Sequence, residues 1–372
     1  MIKKRVLLIS ESMGGGLRKH VVQLIKNLDQ EKFEIYFIHG IKSFDEAFSS
    51  EYETLKEYAT LIPCNTFERE INPRSDWQTY IFLTKKMKEI QPDIVHCHSS
   101  KAGVLGRIVA KINRVEKIFY TPHAYSFLAP EFSKIKKELF ISIEKFLTKY
   151  ATTKVFCVSK GEMKQAMKVN VGNTKKMTVI YNGLPIIDFP TKNNLRMRLG
   201  LSEEKIVIGN NARMSEQKNP LLFLKIAQSV ISQNEDIHFV WVGDGPLMDS
   251  MKEIVSSSSV KSNIHLLGDR NDTEVLVSGY DIYLTTSLYE GLPYSLIEAL
   301  RAGIKIIGTN VVGNDELIFE NNQFDLDDIG KAISLLSENI NLFDEGKAEI
   351  RKFENFFTIG KMISSIESNY EK

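Results

Sequence analysis

Two glutamates with seven residues between them, Glu290 and Glu298, enclose the segment best equipped to bind a ligand. The segment directly follows an apolar run, Ile282 to Thr285, whose length and composition predict a buried strand. Pro293 has the fixed φ that is favoured in the first turn of a helix. The sequence therefore predicts that a helix begins between the two carboxylates, just beyond the carboxyl end of a strand.

The amide groups around Gly291 and Leu292 would then lie at the positive end of that helix. Free N–H groups at such an end bind anions, and a glycine lets a ligand approach the backbone closely. The carboxylates of Glu290 and Glu298 accept hydrogen bonds, so beside a phosphate site they would bind the vicinal hydroxyls of a ribose and a sugar. Alternatively, the segment is a structural helix start that binds no ligand, and its acidic residues serve only to stabilise the positive end of the helix.

Two cations, Arg213 and Lys218, occupy a similar position after the predicted strand Ile206 to Gly209. Asn219 and Pro220 follow them, and these residues are typical of a helix cap and of the first helical position. Two cations beside a helix start would hold a diphosphate and stabilise the charge that grows on it as it leaves, in place of a divalent metal. The alternative is that both are surface cations on a loop.

A glycine run, Gly14 to Gly16, separates the predicted strand Arg5 to Ser10 from the first predicted helix. Only glycine lets the backbone come close to a phosphate or a sugar here, and we expect Gly15 and Gly16 to contact such a ligand. The run is not the dinucleotide-binding fingerprint, because Lys19 stands where the third glycine is needed. A generic flexible turn is the alternative.

Three further residues follow strand ends in the first half of the chain. His123 follows the predicted strand Lys117 to Thr121, and its imidazole could donate to a sugar hydroxyl or to a leaving phosphate. His98 ends the predicted strand Ile94 to His98 and Lys101 follows it, and we expect both to line the acceptor side of the site. Alternatively, His123 is a structural residue whose hydrogen bonds are made within the protein.

No metal site is expected from these motifs. His96 and His98 share one face of a strand, but two nitrogens fall short of the ligand set of zinc, and no nearby carboxylate or cysteine completes it. Asp325 and Asp327 imitate an acidic metal-binding motif, but they precede a helical run and are interpreted as a cap.

Together these motifs are similar to those of the retaining glycosyltransferase family 4, which has the GT-B fold, and the resemblance covers nearly the whole chain. The residues that carry it are Gly14 to Gly16, His123, Arg213, Lys218, Glu290 and Glu298. The resemblance implies that Glu298 binds the ribose hydroxyls and that Glu290 contacts the transferred sugar. It also implies that Arg213 and Lys218 hold the diphosphate. The catalytic groups that it implies are His123, Arg213, Lys218 and Glu290.

Further donor contacts are implied by the same resemblance. Gly291 and Leu292 would offer main-chain N–H groups, and Arg270 would contact the nucleobase. The departures from the family pattern, all at positions where glycine is common, are Ala212, Asn219 and Val312.

Short β-branched runs alternate with stretches of helical periodicity, which predicts repeated βαβ units on parallel sheets. The fold class is therefore α/β, and the resemblance implies GT-B, with two Rossmann-like domains whose parallel sheets face a central cleft. We expect an acceptor-binding domain at 1–185, a linker rich in turn residues at 186–203, and a nucleotide-sugar-binding domain at 204–350. Residues 351–372 are expected to form a terminal helix that returns to the first domain.

Composition is that of an ordinary globular protein, with 43% hydrophobic and 26% charged residues among 372. The three cysteines, Cys64, Cys97 and Cys157, are odd in number and widely spaced, which favours a reducing compartment over a disulfide framework. No apolar run approaches the roughly 18 residues that a membrane span needs. We therefore expect a cytoplasmic protein.

Charge is distributed unevenly along the chain. Residues up to Pro185 contain 30 Lys and Arg against 19 Asp and Glu, whereas the remainder contains 18 against 28. A basic half suits an anionic partner, such as a phospholipid surface or a pyrophosphate-bearing substrate. Phe132 to Tyr150 interleaves lysines with large apolar residues, as an interfacial helix at the inner face of the cell membrane would. A core-facing helix with a solvated basic face gives the same pattern.

These inferences predict a retaining, metal-independent glycosyltransferase that needs no cofactor. The expected donor is a UDP-linked sugar, and the expected acceptor is a hydroxyl of a saccharide, including a lipid-pyrophosphate-linked one, in capsule or exopolysaccharide synthesis. No nucleic acid partner is expected. The alternative is a nucleotide-sugar epimerase or hydrolase on the same scaffold, which would act without an acceptor. A binding protein without catalysis is disfavoured by the cations, and an NAD-dependent oxidoreductase by the glycine pattern.

Overall fold

Runs of Val, Ile, Leu and Phe form the buried strands of this protein, because such side chains fit a pleated surface that is covered on both faces. The computed structural model describes residues 2–42, 46–68, 70–129, 132–189, 193–340 and 346–372. The chain divides into two units, one of Met1–Gly183 with Ile359–Lys372 and one of Leu184–Thr358. Each unit is built on its own parallel sheet.

The first unit alternates strands with helices. Its strands are β1 (Lys4–Ser10), β2 (Phe33–Gly40), β3 (Thr60–Cys64), β4 (Ile94–His98), β5 (Lys117–Thr121), β6 (Lys154–Cys157) and β7 (Met177–Val179). Its helices, in chain order, include α1 (Gly15–Asn27), α2 (Glu46–Leu55), α3 (Pro73–Ile90), α4 (Ser100–Ile112), α5 (Lys134–Tyr150) and α6 (Lys160–Lys168). The strand order is β3-β2-β1-β4-β5-β6-β7, so it reverses between β1 and β4. The loops at such a switch point diverge and leave room for a ligand.

The second unit repeats this plan. Its strands are β8 (Ile206–Asn211), β9 (Ile237–Val242), β10 (Ile264–Leu266), β11 (Ile282–Thr285), β12 (Lys305–Thr309) and β13 (Gln323–Phe324). Its α-helices in the described ranges are α7 (Asn193–Leu199), α8 (Pro220–Ile231), α9 (Met248–Ser256), α10 (Thr273–Leu276), α11 (Tyr294–Arg301), α12 (Asn314–Leu317), α13 (Ile329–Ile340) and α14 (Lys347–Phe356). The order β10-β9-β8-β11-β12-β13 reverses between β8 and β11. The α/β class with two Rossmann-like sheets, predicted from the sequence, is confirmed.

The last helix, α15 (Ile359–Glu371), belongs to the first unit. Met362, Ile363 and Ile366 are buried in the same core as the side chains of β1 and α1. The hydroxyl of Tyr370 lies 2.6 Å from Nδ1 of His96 on β4. The end of the chain is therefore part of the scaffold on which the first unit's polar residues sit.

The segment 351–372 differs from the single terminal helix that its periodicity predicts. It contains the end of α14, which lies in the second unit, and the separate helix α15. The carbonyl oxygen of Phe357 accepts a hydrogen bond from the amide of Leu184 at 2.9 Å, so it does not continue a helical ladder. Residues 359–372, rather than 351–372, belong with the first unit.

The predicted linker at 186–203 differs as well, because it contains α7. Leu195 on this helix is buried, and the guanidinium of Arg196 donates to Gly279 O at 2.9 Å and pairs with Asp281. The helix is only seven residues long, which is too short for its apolar spacing to stand out in the sequence. Two turns of packed helix therefore replace much of the expected open connection.

No helix in the described ranges is both long enough and apolar enough to cross a membrane.

Candidate functional site

The carboxyl ends of β8 and β11 carry the two predicted motifs of the second unit. These strands are neighbours, with Ile208 paired to Ile282 in parallel register. Arg213 and Lys218 lie in the connection that follows β8, and Glu290 lies in the loop that follows β11. Because both connections leave the same edge of one sheet at its switch point, the two motifs meet there.

Hydrogen bonds fasten these two connections to each other. The amide of Leu288 donates to Gln217 O at 2.8 Å, and the side-chain amide of Gln217 donates to Tyr289 O at 3.0 Å. The hydroxyl of Thr286 donates to Lys218 O at 3.0 Å. The backbone at Lys218 is therefore held against the loop that carries the first glutamate.

Lys218 and Glu290 form an ion pair within this arrangement. Nζ of Lys218 lies 2.5 Å from Oε1 of Glu290, and only 7% of the Glu290 side chain is exposed. The amide of Glu290 donates to Val312 O at 3.2 Å, which fixes the backbone of the carboxylate. Charges so little exposed are weakly screened, and removal of one partner would leave the other without compensation. The predicted phosphate-binding cation and the predicted sugar-binding carboxylate are thus direct partners.

Glu298 lies on α11 and is buried. Burial raises the pKa of the Tyr283 phenol on β11, and the negative charges of Glu298 and Glu290 raise it further. The Tyr283 hydroxyl accepts a hydrogen bond from the amide of Asn211 at 2.8 Å, at the end of β8. Tyr283 therefore links the two strands of the switch point, and the loop and helix that follow its strand carry the two glutamates.

The loop around Gly291 depends on a second glycine, Gly313. Gly313 has φ of +88°, and a Cβ at this position would lie 2.5 Å from Gly291 O. Val312, one of the three departures from the family pattern, contributes its carbonyl oxygen to Glu290, a contact that does not depend on its side chain. The close approach therefore needs glycine at 313 but tolerates valine at 312.

A second departure, Asn219, has a physical explanation in the backbone. Its φ of 50° and ψ of 58° are left-handed, a conformation that glycine adopts freely and that asparagine tolerates better than most residues. Its side chain also caps α8 by accepting a hydrogen bond from the amide of Leu222 at 3.4 Å. The asparagine therefore adopts here the backbone conformation that glycine would adopt.

The two other predicted donor-binding cations are exposed. Arg213 projects into solvent from the loop after β8. Arg270 forms a forked ion pair with Asp272, with both nitrogen–oxygen distances at 3.0 Å, and Arg198 pairs with the same carboxylate. The structure gives Arg270 a local ion-pair partner, and its contact with a nucleobase stays a prediction.

In the first unit, the glycine run forms the junction of β1 and α1. The helix begins at Gly15, two residues before the predicted start, and Gly15 has φ of +56°. Within the described residues, no atom lies within 4 Å of a Cβ added at Gly14 or Gly15. The positive φ explains the glycine, and the open space lets a ligand approach the backbone.

Three histidines from different elements meet at the carboxyl edge of the first sheet. His98 ends β4, His123 follows β5, and His20 lies on α1. Nδ1 of His98 lies 3.3 Å from Nε2 of His123, and the ring centroids of His20 and His123 are 4.5 Å apart. Nδ1 of His20 lies 3.0 Å from Oδ1 of Asn182. The structure brings the two predicted histidines together and adds a third.

His20 is a site residue that the sequence pattern does not reveal directly. Its one signal is its spacing, because it follows Gly16 by four residues and so lies on the same face of α1 as the glycine turn. Spacing alone does not identify His20 as a residue of the candidate site, because the sequence does not show which way this face of α1 points.

Burial lowers the pKa of each histidine in this cluster. The pKa of His20 falls to about 4. The pKa values of His98 and His123 lie well below 6.5, and neighbouring imidazoles add to the effect of burial. The rings are therefore neutral at pH 7, where each can donate through one nitrogen and accept through the other.

The backbone that presents His123 is strained and held in place by Glu162. His123 and Ala124 have φ of 55° and 79°, which non-glycine residues adopt only when their surroundings impose it. The buried carboxylate of Glu162 accepts hydrogen bonds from the amides of Ala124 and Val158, both at 2.8 Å. Glu162, which no motif in the sequence marks, therefore positions the histidine.

His96 and Cys97 are structural. Nδ1 of His96 lies 2.6 Å from the Tyr370 hydroxyl, and Nε2 lies 2.8 Å from Oγ1 of Thr121. Cys97 is buried, and burial raises the pKa of its thiol to about 12. Neither side chain offers a ligand to the site.

The acidic run before α13 caps the helix as predicted, but through a different residue. Asp328, rather than Asp325 or Asp327, caps the helix, by accepting a hydrogen bond from the amide of Lys331 at 2.8 Å.

Lys101 and Glu11 both make contacts near His98. The ammonium of Lys101 pairs with Oδ1 of Asp76 at 2.6 Å. The buried carboxylate of Glu11, directly after β1, accepts hydrogen bonds from the Ser99 hydroxyl and from the amide of Ala102 at 3.0 Å. Glu11 thereby ties the end of β1 to the start of α4, and its position after a strand end was the available signal.

Two family models match the chain. The model described as Glycosyltransferase Family 4 matches residues 14–186, and the model described as Glycosyl transferases group 1 matches residues 191–342. The UDP-Gal:alpha-D-GlcNAc-diphosphoundecaprenol alpha-1,3-galactosyltransferase of Escherichia coli is 31% identical over 95% of this chain and 93% of its own length. The O-antigen biosynthesis glycosyltransferase WbnH of E. coli is 28% identical over 84% of this chain and 82% of its own length.

Solved structures with the GT-B fold resemble the whole chain. The crystal structure of Anabaena Alr3699/HepE in complex with UDP and glucose matches with a TM-score of 0.80, 17% identity and 99% coverage of both chains. The apo form of the lipopolysaccharide outer core galactosyltransferase WaaB matches with a TM-score of 0.70, 18% identity, and coverage of 98% of this chain and 99% of that one. The GT-B fold predicted from the sequence is confirmed.

Acid should destabilise the first unit through His20. Unfolded histidine gains a proton as pH falls through 6.5, but folded His20 does so only near its pKa of about 4. The unfolded state therefore binds more protons in this window, and the free energy of unfolding falls by about 3 kcal/mol between pH 6.5 and 4 because of this one group. The variant H20Q should lack that part of the pH dependence.

Urea unfolding at a series of pH values measures this difference. The two tryptophans, Trp77 and Trp241, lie in different units, so a Trp241→Phe background leaves Trp77 to report on the first unit. Equal pH slopes for H20Q and its parent would show that the buried imidazole of His20 is not responsible.

Proposed function

The chain belongs to glycosyltransferase family 4, and we propose that it is a retaining enzyme that transfers a sugar from a UDP-sugar to a hydroxyl of a lipid-diphosphate-linked saccharide, without a catalytic divalent metal. The observation that carries the proposal is the ion pair between Lys218 and Glu290. It joins a phosphate-binding type of cation to a hydroxyl-binding type of carboxylate at the switch point of a parallel sheet. The process that we infer is surface polysaccharide synthesis, including capsule or exopolysaccharide.

A UDP-sugar is the donor that we infer. The E. coli relative is named for UDP-Gal, and the HepE structure contains UDP and glucose. In this chain, Arg213 and Lys218 precede the start of α8, where their charges and the helix dipole suit a diphosphate. Glu298 would bind the ribose, and Glu290 would bind hydroxyls of the transferred sugar.

Backbone groups complete the proposed donor contacts within each unit. In the second unit, Gly291 and Leu292 would offer amides, and Arg270 would reach the base after exchanging its contact with Asp272. In the first unit, the open space beside Gly15 supports the approach of a phosphate or sugar to Gly15 and Gly16.

Departure of UDP concentrates negative charge on the diphosphate in the transition state. Lys218 and Arg213 would stabilise that charge, and one preorganised donor of this kind typically contributes a factor of ~100 to ~1000 in rate. Glu290 is already held by Lys218, so it suits hydrogen bonding to the sugar rather than attack on the anomeric carbon. The acceptor hydroxyl would then attack the anomeric carbon from the face that UDP leaves, and it would give its proton to the departing phosphate. Attack from that face retains the anomeric configuration.

The charge of Glu290 and the protonation state of His123 bear on what each residue does. Lys218 already compensates the charge of Glu290, which supports a role for this carboxylate in hydrogen bonding rather than in metal binding. The neutral imidazole of His123 would donate a hydrogen bond to a sugar hydroxyl or phosphate oxygen.

The acceptor that we infer carries a lipid diphosphate. The E. coli relative is named for alpha-D-GlcNAc-diphosphoundecaprenol, an acceptor of this kind. The basic excess of the first half of the chain supports an anionic acceptor in the first unit. His98 and Lys101, at the carboxyl edge of its sheet, would contact that acceptor.

UDP release should depend on both substrates. A panel of UDP-sugars, with GDP- and ADP-sugars as controls, is assayed with and without diphosphate-linked saccharides on a polyprenol. We expect rapid UDP release only with one UDP-sugar and an acceptor, an α-linked product, and an unchanged rate in EDTA. Release of UDP at the same rate without acceptor would instead support the hydrolase, and a requirement for Mg²⁺ or Mn²⁺ would contradict metal independence.

Helix α5 supports contact with a membrane, because its outward face is apolar. Ile135, Leu139, Phe146 and Tyr150 are between 52% and 84% exposed, and their spacings of four, seven and four residues align them on one face. The opposite face is fixed by the buried carboxylate of Glu144, which accepts hydrogen bonds from Nη2 of Arg107 at 2.8 and 2.9 Å. A core-facing helix with a solvated basic face would not carry this outer apolar stripe.

Lysines on the same helix suit an anionic lipid surface. Lys134, Lys145 and Lys149 are exposed beside the apolar stripe. Apolar side chains flanked by ammonium groups suit the boundary between acyl chains and phosphate headgroups. We therefore infer that α5 brings the enzyme to the membrane that holds its lipid-linked acceptor.

Substitution within the stripe should weaken lipid binding. We expect the double variant Leu139→Ser, Phe146→Ser to bind vesicles containing phosphatidylglycerol at least tenfold more weakly than the wild type, because two large side chains no longer enter the lipid. Leu221→Ser, an exposed position on α8, is the matched control. Vesicle co-sedimentation measures the difference, and high salt should weaken the wild-type interaction.

Unchanged vesicle binding by the double variant would contradict the membrane assignment. Loss of a dimer in sedimentation, without a change in vesicle binding, would assign the stripe to self-association instead.

A further inference from the structure

Three imidazoles in the first unit converge in a way that hydrogen bonding alone does not explain. One ring nitrogen from each of His20, His98 and His123 lies within 4.8 Å of the other two. They come from α1, the end of β4 and the loop after β5, so the fold assembles them. We propose that these three residues bind a transition-metal ion of the zinc type, and that its binding inhibits sugar transfer.

The distances are close to those of a three-histidine site. Zinc–nitrogen bonds of about 2.0–2.1 Å in tetrahedral geometry place the ligand nitrogens roughly 3.3 Å apart. The nitrogens of His98 and His123 are already 3.3 Å apart. A shift of roughly 1.5 Å or less would bring the third nitrogen to the distance that zinc requires.

Hydrogen bonding prepares His20 as a ligand. Its Nδ1 faces the side-chain oxygen of Asn182 at 3.0 Å, and an amide oxygen can only accept. Nδ1 therefore carries the proton, and the lone pair lies on Nε2. A ligating histidine typically donates its other N–H to such an oxygen, which fixes both its tautomer and its orientation.

His98 and His123 face each other through the two nitrogens that would bind the ion. The side chain of His98 is fully buried, and its Nε2 has no hydrogen-bond partner in the described part of the chain. Its other nitrogen faces His123, and two neutral rings at that distance share a single proton. A cation at this position would accept the lone pairs of both facing nitrogens in place of that proton, and the ring that loses it would carry its proton on its other nitrogen.

The ligand set determines which ions fit. Neutral imidazoles suit zinc, cobalt, nickel and copper, whereas magnesium and calcium prefer carboxylate and carbonyl oxygen. His96 is adjacent but does not join, because both its nitrogens have partners in Tyr370 and Thr121. The strand motif lacks enough ligands by itself, and the fold supplies two more histidines from other elements.

Partial exposure of His123 gives an ion a route to the cluster and leaves a position for water. Coordination through Nε2 of His123, the nitrogen that faces His98, would fix the ring on the ion and prevent it from turning to donate to a substrate hydroxyl or phosphate. The inhibitory effect rests on the proposed function, whereas metal binding by itself does not.

Cobalt binding tests the site without any enzymatic assay. The full-length protein is titrated with Co²⁺, whose tetrahedral complexes absorb strongly in the visible range, and Zn²⁺ is then added as competitor. We expect one Co²⁺ per chain, displaced by Zn²⁺, and at least tenfold weaker binding by His123→Ala. The matched control is His265→Ala, because His238 and His265 form a pair with nitrogens 3.1 Å apart in the second unit, and no third metal-binding side chain joins this pair among the described residues.

The outcomes separate the two parts of the proposal. Absence of a visible band, or equal Co²⁺ affinity for His123→Ala and the wild type, would overturn the site, and the far-ultraviolet circular dichroism of each variant establishes that it is folded. Loss of the band in His265→Ala alone would assign the ion to the second unit and overturn the site as well. If Co²⁺ binds as expected but Zn²⁺ leaves acceptor-dependent UDP release unchanged, the inhibitory role fails while the transfer reaction stands.

Discussion

In an open parallel sheet, every connection that follows a strand emerges at the same edge, and a reversal of strand order leaves two of these connections facing each other. The pair of Lys218 and Glu290 exists because of this constraint, since its members lie 72 residues apart in sequence and follow the adjacent strands β8 and β11. Desolvating two charges is costly, and the cost is offset only when they meet in good geometry. The hydrogen bonds from Thr286 and Leu288 supply that geometry, because they fix the backbone on both sides of the pair.

In the first unit, the same emergence of connections at one sheet edge brings together neutral side chains rather than an ion pair. β1, β4 and β5 deliver the glycine turn, His98 and His123 to one edge, and α1 adds His20. Supporting contacts come from distant parts of the chain. Glu162 holds the strained backbone at His123, and the last helix places Tyr370 against His96. A site built this way is sensitive to changes far from it in sequence, including changes at the end of the chain.

Local signals were enough to predict much of this fold. Strands β4, β5 and β11 have the predicted bounds, because each is a short run rich in β-branched or aromatic residues. β3, β7 and β13 were missed. β3 is half exposed and contains Pro63, while β7 and β13 are only three and two residues long, so none of them has a distinct apolar pattern.

Motif spacing predicted the components of the site but not their partners. Lys218 and Glu290 were each assigned a ligand, yet their contact with one another depends on strand order, which neither segment encodes alone. The roles of His20, Glu11 and Glu162 likewise depend on which elements become neighbours. Arg270 shows the converse case, because its expected role came from resemblance, whereas the structure gives it an ion-pair partner in Asp272.

A double-mutant cycle measures whether Lys218 and Glu290 act as one functional unit in transfer. Lys218→Met, Glu290→Gln and the double variant are compared with the wild type by kcat/KM for acceptor-dependent UDP release, with thermal unfolding as the check on folding. We expect each single variant to lose about 100-fold or more, and the double variant to be little worse than the poorer single variant, because the effects of residues that act as a unit are not additive. Losses that multiply in the double variant, or single variants that retain full activity, would contradict this expectation.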